Sequence, residues 1–288
     1  DQASGSFDVV IHDDVPTADD DSGVQSPENT AVTVDVFAND EAGADGVDLE
    51  TGVAVVPLSL SGGTGSLVYN GDGTFTYTPA AGEDANVTFD YTITDGDGDV
   101  STATVTLDLV PDSEPDVGTP SDLAVDEDGF ALTANVDGGQ LDPLEINNGE
   151  NLSDLSGSVT VDFGADVPAA PLLSSIAFIN PGALNGQLSA GGEAVTFVVN
   201  GSGQLVGSTL GLGTVVTLSL TGAVAGGAAG EVDYSYSVVL SQPLDHTFGD
   251  DSEASVTLSG VTFQVTDGDD GDQASGSFDV VIHDDVPT

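Results

Sequence analysis

The chain has 288 residues, 50 of them Asp or Glu and none Lys or Arg, for a formal net charge of -50. That sign excludes nucleic acid and anionic membrane as partners, no apolar run approaches the ~20 residues of a membrane span, and the lack of Cys excludes disulfides and thiolate metal sites. The length suits about two domains, and a hydrophobic content of 39% is not that of a disordered acidic tail.

Residues 1–17, DQASGSFDVVIHDDVPT, recur letter for letter at 272–288, an offset of 271 residues. Such identity points to a parent chain that repeats a unit of this length. The lack of Met fits a piece of something larger. On this reading residues 1–17 are the last strand of a preceding repeat plus a linker, 18–112 form one sandwich, and 113–288 form a larger one that ends in its final strand and an outgoing linker. Residues 1–12, without their own sheet, are expected to be disordered or to pair with an exposed edge of another molecule.

In chain order, Leu67-Val68-Tyr69 and Phe75-Thr76-Tyr77 flank Asn70-Gly71-Asp72-Gly73, a hairpin turn. Phe89, Tyr91 and Ile93 share one strand face, as do Ala103, Val105, Leu107 and Leu109. Helix is scarce, and residues 168–177 suit a short turn of one. The Gly-rich stretch 222–230 reads as a flexible loop. Val232, Tyr234, Tyr236, Val238 and Leu240 alternate with polar residues, and Val256 and Leu258 change phase to Val261, Phe263 and Val265 at Gly260, which predicts a bulge. Residues 94–109 and 266–282 both read as strand, acidic Gly-rich turn, strand, and each leads into an acidic Pro-containing linker. The fold class is therefore all-β: tandem Ig-like sandwiches joined by acidic linkers.

A body with no positive side chain cannot neutralise its own carboxylates. Two of them 4 Å apart repel by about 1 kcal/mol in water and about 4 kcal/mol near a protein surface. Strand parity in a seven-stranded sandwich says where they gather. The turns between strands two and three and between six and seven lie at the pole where the chain enters, and the turn between strands one and two lies at the other pole. In the first domain this brings Asp40 and Asp45, in the stretch 39–50, and Asp95, Asp97 and Asp99 beside Asp13, Asp14, Asp19 and Asp20. It sets Glu28 beside Asp112, Glu114 and Asp116. In the second domain Asp267, Asp269 and Asp270 face the segment ahead of it, and the run 126–128, with Glu127, faces Asp284 and Asp285. All-oxygen, multiply charged sets of this kind suit Ca²⁺, with Mg²⁺ as a competitor that prefers fewer carboxylates and more water. A solvated Asp-Gly turn is the competing reading. An EF-hand is excluded: in the run that opens at Asp95, the sixth position is Val100 and the twelfth is Thr106, where Gly and Glu are required.

Catalytic chemistry finds little support. His12, His246 and His283 are the only histidines, and surface or hydrogen-bonding roles suit them. GxSxG, HExxH and phosphate-binding Gly-Lys loops are missing, and there is no Trp to form a sugar platform beside a carboxylate pair. Thr-rich strand faces such as 102–106 could bind ice or carbohydrate, but outward Thr is common on any strand.

At these residues the chain resembles bacterial cadherin-like repeats of giant adhesins exported by type I secretion. Pro27-Glu28-Asn29 is similar to the cadherin PEN turn, and Thr94-Asp95 through Thr104 is similar to the cadherin last-hairpin turn. Asp13-Asp14-Val15-Pro16 is a looser match to the acidic linker. Gly65 through Asp108 is similar to the VCBS-type adhesin repeat, and residues 120–283 resemble a longer module of the same proteins. The resemblance implies calcium ligation by Glu28 and Asp95. It also implies a Gram-negative cell-surface location and an extender role, with neighbouring repeats of the same chain as partners and the chain a monomer. The chain has no counterpart of the cadherin acidic pair ahead of the fifth strand's end, which leaves the number of ions per junction open. A carbohydrate- or polymer-binding module is the alternative function, and a secreted acidic enzyme is a third.

Overall fold

In the computed structural model, residues 14–127, 155–246 and 255–283 are described, together with Ser6 and Asp8. Asp13, Asp128, Asp284, Asp285 and His12 lie outside these residues, as does the expected pairing of the segment 1–12. The chain divides into two units, residues 1–112 and 113–288. Both are all-β.

Unit 1 has strands β1 (Asp21–Val24), β2 (Val32–Asp35), β3 (Val53–Val55), β4 (Ser66–Tyr69), β5 (Thr74–Thr78), β6 (Val87–Thr94) and β7 (Val100–Asp108). They form two sheets, ordered β1-β7-β6-β3 and β2-β5-β4. Period-two alternation buries Val87, Phe89, Tyr91 and Ile93 of β6 against Ala103, Val105 and Leu107 of β7. Phe75, on the facing sheet, packs on Phe89 and Tyr91 with ring centroids 5.2 and 6.2 Å away. Each such aromatic contributes about 1.5–3 kcal/mol by leaving water. Asn70 N bonds back to Thr74 O and closes the β4–β5 hairpin at the expected turn. β1 runs parallel to β7, from Asp21 beside Val105 to Val24 beside Asp108, so the segment that opens the unit lies along its last strand.

Unit 2 has strands β8 (Asp116–Val117), β9 (Leu123–Asp126), β10 (Ser156–Asp162), β11 (Ile176–Ile179), β12 (Ser189–Ala190), β13 (Glu193–Ala194), β14 (Thr196–Val199), β15 (Leu205–Thr209), β16 (Gly213–Ala225), β17 (Glu231–Leu240), β18 (Ser255–Thr266) and β19 (Gln273–His283). Among the described residues, the sheets are ordered β14-β15-β16-β17-β10-β8, β11-β18-β19-β9 and β12-β13. β9 runs parallel to β19 as β1 does to β7. Tyr236 stacks on Phe278 at 4.2 Å across the core. The expected helical turn is a single 3-10 turn at Leu172–Ser175 that leads into β11. The expected bulge is present as a register shift between Leu258 and Val261.

One expectation is corrected. Residues 222–225 are not loop but the end of β16, with Gly222 opposite Ser235 and Ala225 opposite Val232. β17 begins at Glu231, and its backbone groups need a partner strand of equal reach. A register shift between Leu220 and Gly222 lets β16 continue, so the connection shrinks to residues 226–230.

Candidate metal centres

The β6–β7 turn opens with Asp95. Register ends at Thr94 opposite Val100, and Asp95 Oδ1 then accepts from Gly98 N at 3.0 Å and Asp99 N at 2.8 Å. These bonds hold the side chain inward, 7% exposed. Its other oxygen, Oδ2, is buried and has no hydrogen-bond partner among the described residues. Asp45, from the β2–β3 loop, and Asp97 each bring a carboxylate oxygen to the same place, all within 4.8 Å of one another. Burial works to raise the Asp95 pKa, but the N–H donors of the turn, together with the Asp97 side chain, outweigh it and hold the carboxyl below its ordinary range.

Unit 2 builds the same turn at the end of β18. Asp267 is 8% exposed, its Oδ1 accepts from Gly271 N at 2.9 Å, and its Oδ2 is again buried with no partner among the described residues. Asp269 and Asp270 complete a cluster whose oxygens lie within 4.8 Å. Here burial prevails, the charges of Asp270, Asp269 and Asp272 add to it, and the Asp267 pKa rises.

A carboxylate oxygen that is buried, unpaired and among like charges is costly to fold around. The donor sets are all oxygen, with charge in excess. Both features fit a hard divalent cation such as Ca²⁺.

The remaining expected ligands of unit 1 fall at its two ends. Near Asp45 and Asp95, Asp14 Oδ2 accepts from Ala44 N at 2.8 Å, and Asp40 Oδ1 accepts from Asp19 N at 2.8 Å. Asp20 Oδ1 accepts from Thr104 N at 2.8 Å. Asp99 belongs to the Asp95 turn. At the other end, Glu28 and Asp112 each place a carboxylate oxygen within 4.8 Å of the other, and Gln25 ties the β1–β2 turn to Asp108 and Val110.

In unit 2, Glu114 is exposed, and Asp116 stands in β8 opposite Asp162. Glu127 is turned inward instead: its Oε1 accepts from Leu244 N at 2.8 Å and lies 3.3 Å from His246 Nε2, with both side chains buried. This contact comes from a residue 119 positions away, and nothing in the local sequence announces it.

Two groups near Asp45 and Asp95 were not foreseen. Tyr91 Oη donates to the Asp40 carboxylate at 2.9 Å and lies 3.1 Å from Asp19 O. Beside it, burial and the Asp40 charge push Asp21 up to about 6 against the bonds from Tyr91 and Asn39. The signal for Asp21 was its place as third in an Asp run, at the first residue of β1. In unit 2, Asp166 is 3% exposed, and its carbonyl accepts from Gly268 N at 2.8 Å. Its signal was a short echo, Gly43-Ala44-Asp45 and Gly164-Ala165-Asp166.

Residues 13–108 match the family model of the bacterial Ig domain, and unit 1 is an Ig-like sandwich. No curated protein matches the chain. Among solved structures, the human desmocollin-1 ectodomain is similar at 14% identity and TM-score 0.30, over 95% of this chain and 62% of that one. The protocadherin gammaB4 extracellular domain is similar at 15% identity and TM-score 0.25, over 95% and 49%. Mouse cadherin-23 EC22-24 is similar at 15% identity and TM-score 0.24, over 95% and 100%. The chain thus spans less than two thirds of the first two. Likenesses this distant carry nothing about what the chain binds. No helix among the described residues is long and apolar enough to cross a membrane.

Proposed function

We infer that this chain is a calcium-stiffened extender segment of a bacterial surface adhesin, one that projects a distal binding region away from the cell. The observation that carries the reading is the pair of buried carboxylate oxygens, Asp95 Oδ2 and Asp267 Oδ2, each without a hydrogen-bond partner among the described residues and each in a cluster of three acidic residues. The chain has no Lys or Arg to offer them, so the countercharge comes from solution.

Asp45, Asp95 and Asp97 would hold one ion, and Asp267, Asp269 and Asp270 another. Bound Ca²⁺ supplies divalent charge and accepts six to eight oxygen ligands. The residues around it do the mechanical work. Ala44, Asp40 and Thr104 hold Asp14, Asp19 and Asp20 against unit 1, so an ion that orders the 39–50 loop also orders the segment that opens the unit. Without it, carboxylate repulsion loosens that segment.

Extracellular sites of this kind bind at about 10⁻⁴–10⁻³ M, and a hundredfold excess over Kd adds about 2.7 kcal/mol per site. Rigidity would then follow external calcium, and a calcium-poor cytoplasm would keep the chain loose for export. The 271-residue spacing of the two identical segments supports a tandem array in which residues 1–17 close a preceding repeat. Neighbouring repeats are then the partners of a monomeric chain, and the role is structural rather than catalytic.

Small-angle scattering and thermal melting, with calcium and with chelator, test the reading. Chelation is expected to increase the radius of gyration and lower the melting temperature. No change in either would defeat it.

A further inference from the structure

The tripeptide Gly-Ala-Asp occurs at 43–45 in unit 1 and at 164–166 in unit 2, and the backbone of each copy is set in a similar way within its own unit. Gly43 and Gly164 both have left-handed backbone, with φ of 68° and 57°. That conformation turns the next N–H toward the segment that opens the unit. Ala44 N donates to Asp14 Oδ2 at 2.8 Å, and Ala165 N points at Ser113 Oγ at a longer 3.5 Å. Two residues beyond Asp14 and Ser113 stand Pro16 and Pro115, both buried. On the other side, the carbonyl of Asp45 lies against Gly96 and that of Asp166 against Gly268, so closely that a Cβ on either glycine would come within 2.8 or 2.9 Å of the oxygen. Gly96 and Gly268 each follow the buried aspartate, Asp95 or Asp267, that leaves Oδ2 without a partner among the described residues.

We propose that Gly-Ala-Asp is a repeated clasp, which couples the divalent-cation site of each unit to the segment that opens it, and that Asp166 is the ligand in unit 2 that corresponds to Asp45. The proposal rests on the reading of the Asp95 and Asp267 clusters as cation sites. The clasp position itself separates gripping from ligating. Asp14 and Ser113 are equivalent, yet only one carries charge. A hydroxyl accepts an amide hydrogen bond as a carboxylate oxygen does, but it brings a hard cation no countercharge. What the position keeps is the grip on the Ala N–H.

The aspartate one residue further on sets its carbonyl against the glycine that follows the buried Asp of the last hairpin, and one rigid tripeptide joins the two contacts. A cation that fixes Asp45 against Asp95 therefore fixes Ala44 against Asp14, and by linkage a seated opening segment raises cation affinity by the same factor. Asp166, 3% exposed at the equivalent place, has the burial and backbone contact of a preorganised ligand.

Calorimetric titration of CaCl₂ into the metal-free full chain tests both parts. Asp84→Asn, an exposed residue that loses the same charge, serves as control. Asp166→Asn is expected to weaken one class of sites at least tenfold, and Asp84→Asn to change none by more than twofold. Asp14→Ser, which keeps an acceptor as in unit 2, is expected to stay within about threefold of wild type, while Asp14→Ala loses about tenfold. Asp166→Asn indistinguishable from Asp84→Asn, or Asp14→Ser as damaging as Asp14→Ala, overturns the proposal. If Asp166→Asn does not fold, Asp166→Glu is used in its place and the same tenfold loss is expected, because a longer arm misplaces the carboxylate. A wild-type chain that takes up no calcium at all defeats the cation-site reading beneath it instead, so the two failures are distinct.

Discussion

Gly96 lies against the carbonyl oxygen of Asp45 with no room between them for a methyl group: a Cβ at residue 96 would sit 2.8 Å from that oxygen. Gly96 does not use left-handed backbone, so alanine would cost nothing in conformation, and its whole effect is to push the β2–β3 loop off the β6–β7 turn. Gly96→Ala is expected to lower calcium affinity at the Asp45, Asp95 and Asp97 site at least fivefold, and to destabilise the metal-free unit by only about 1 kcal/mol. Calorimetry and chelator melts read the two effects separately.

Asp267 is expected to show a reversal of sign. Burial and three neighbouring carboxylates raise its pKa, so in chelator its charge works against folding. Asp267→Asn removes that charge and keeps an acceptor for Gly271 N. Its melting temperature in chelator should rise by a few degrees above wild type, while the gain wild type shows on adding calcium should shrink. Differential scanning calorimetry in the two buffers measures both, and a variant less stable than wild type in chelator would count against a charge-loaded site.

Glu83 carries the pH dependence of unit 1 away from the acidic clusters. Its carboxylate accepts from Tyr77 Oη at 2.6 Å, Gly65 N at 3.0 Å, Ala80 N at 3.1 Å, and Thr64 N and Oγ1. Burial opposes its charge, but these donors prevail and hold the pKa at about 2 against an ordinary 4.5. A carboxyl depressed in the folded state adds stability that is present above about pH 4.5 and is lost as pH falls toward 2. Glu83→Gln should cost about 2 kcal/mol at pH 7, and its gap from wild type should narrow below pH 4.5. Chemical denaturation of both proteins from pH 7 to pH 2.5 measures the gap.

Asp21 works in the opposite sense. Its pKa of about 6 means that the folded chain holds a proton the unfolded chain has released between about pH 4 and pH 6, so stability falls as pH rises through that window. After a discount for its half-exposed setting, Asp21→Asn should stabilise metal-free unit 1 at pH 7.5 by about 1 kcal/mol, a shift of about 4–8 °C in melting temperature. A loss of stability in chelator at that pH would contradict this.

Much of the fold was legible because period-two alternation and turn residues are local signals. β6, β7 and β17 were visible in their aromatic and β-branched faces, and the bulge near Gly260 was visible as a change of phase. Parity alone placed Asp40 and Asp45 beside the segment 14–20, and Glu28 beside Asp112. What local sequence could not show depends on partners far along the chain. Residues 222–225 look like loop by composition and are strand because β17 needs them. Glu127 reads as one of an acidic run and is turned inward by Leu244 and His246. Asp166 was overlooked because its kinship to Asp45 lies in the short Gly-Ala-Asp echo and in the contact of its carbonyl with Gly268 rather than in a run of acidic residues.

The most direct measurement is anomalous X-ray scattering from crystals grown in calcium-rich buffer. The expected result is a calcium peak within 2.3–2.6 Å of Asp95 Oδ2, shared with Asp45 and Asp97, and a second peak on Asp267 Oδ2. If both oxygens in such crystals are instead satisfied by water or by protein donors, with no peak beside either, the buried carboxylates do not bind the ion and the account is wrong.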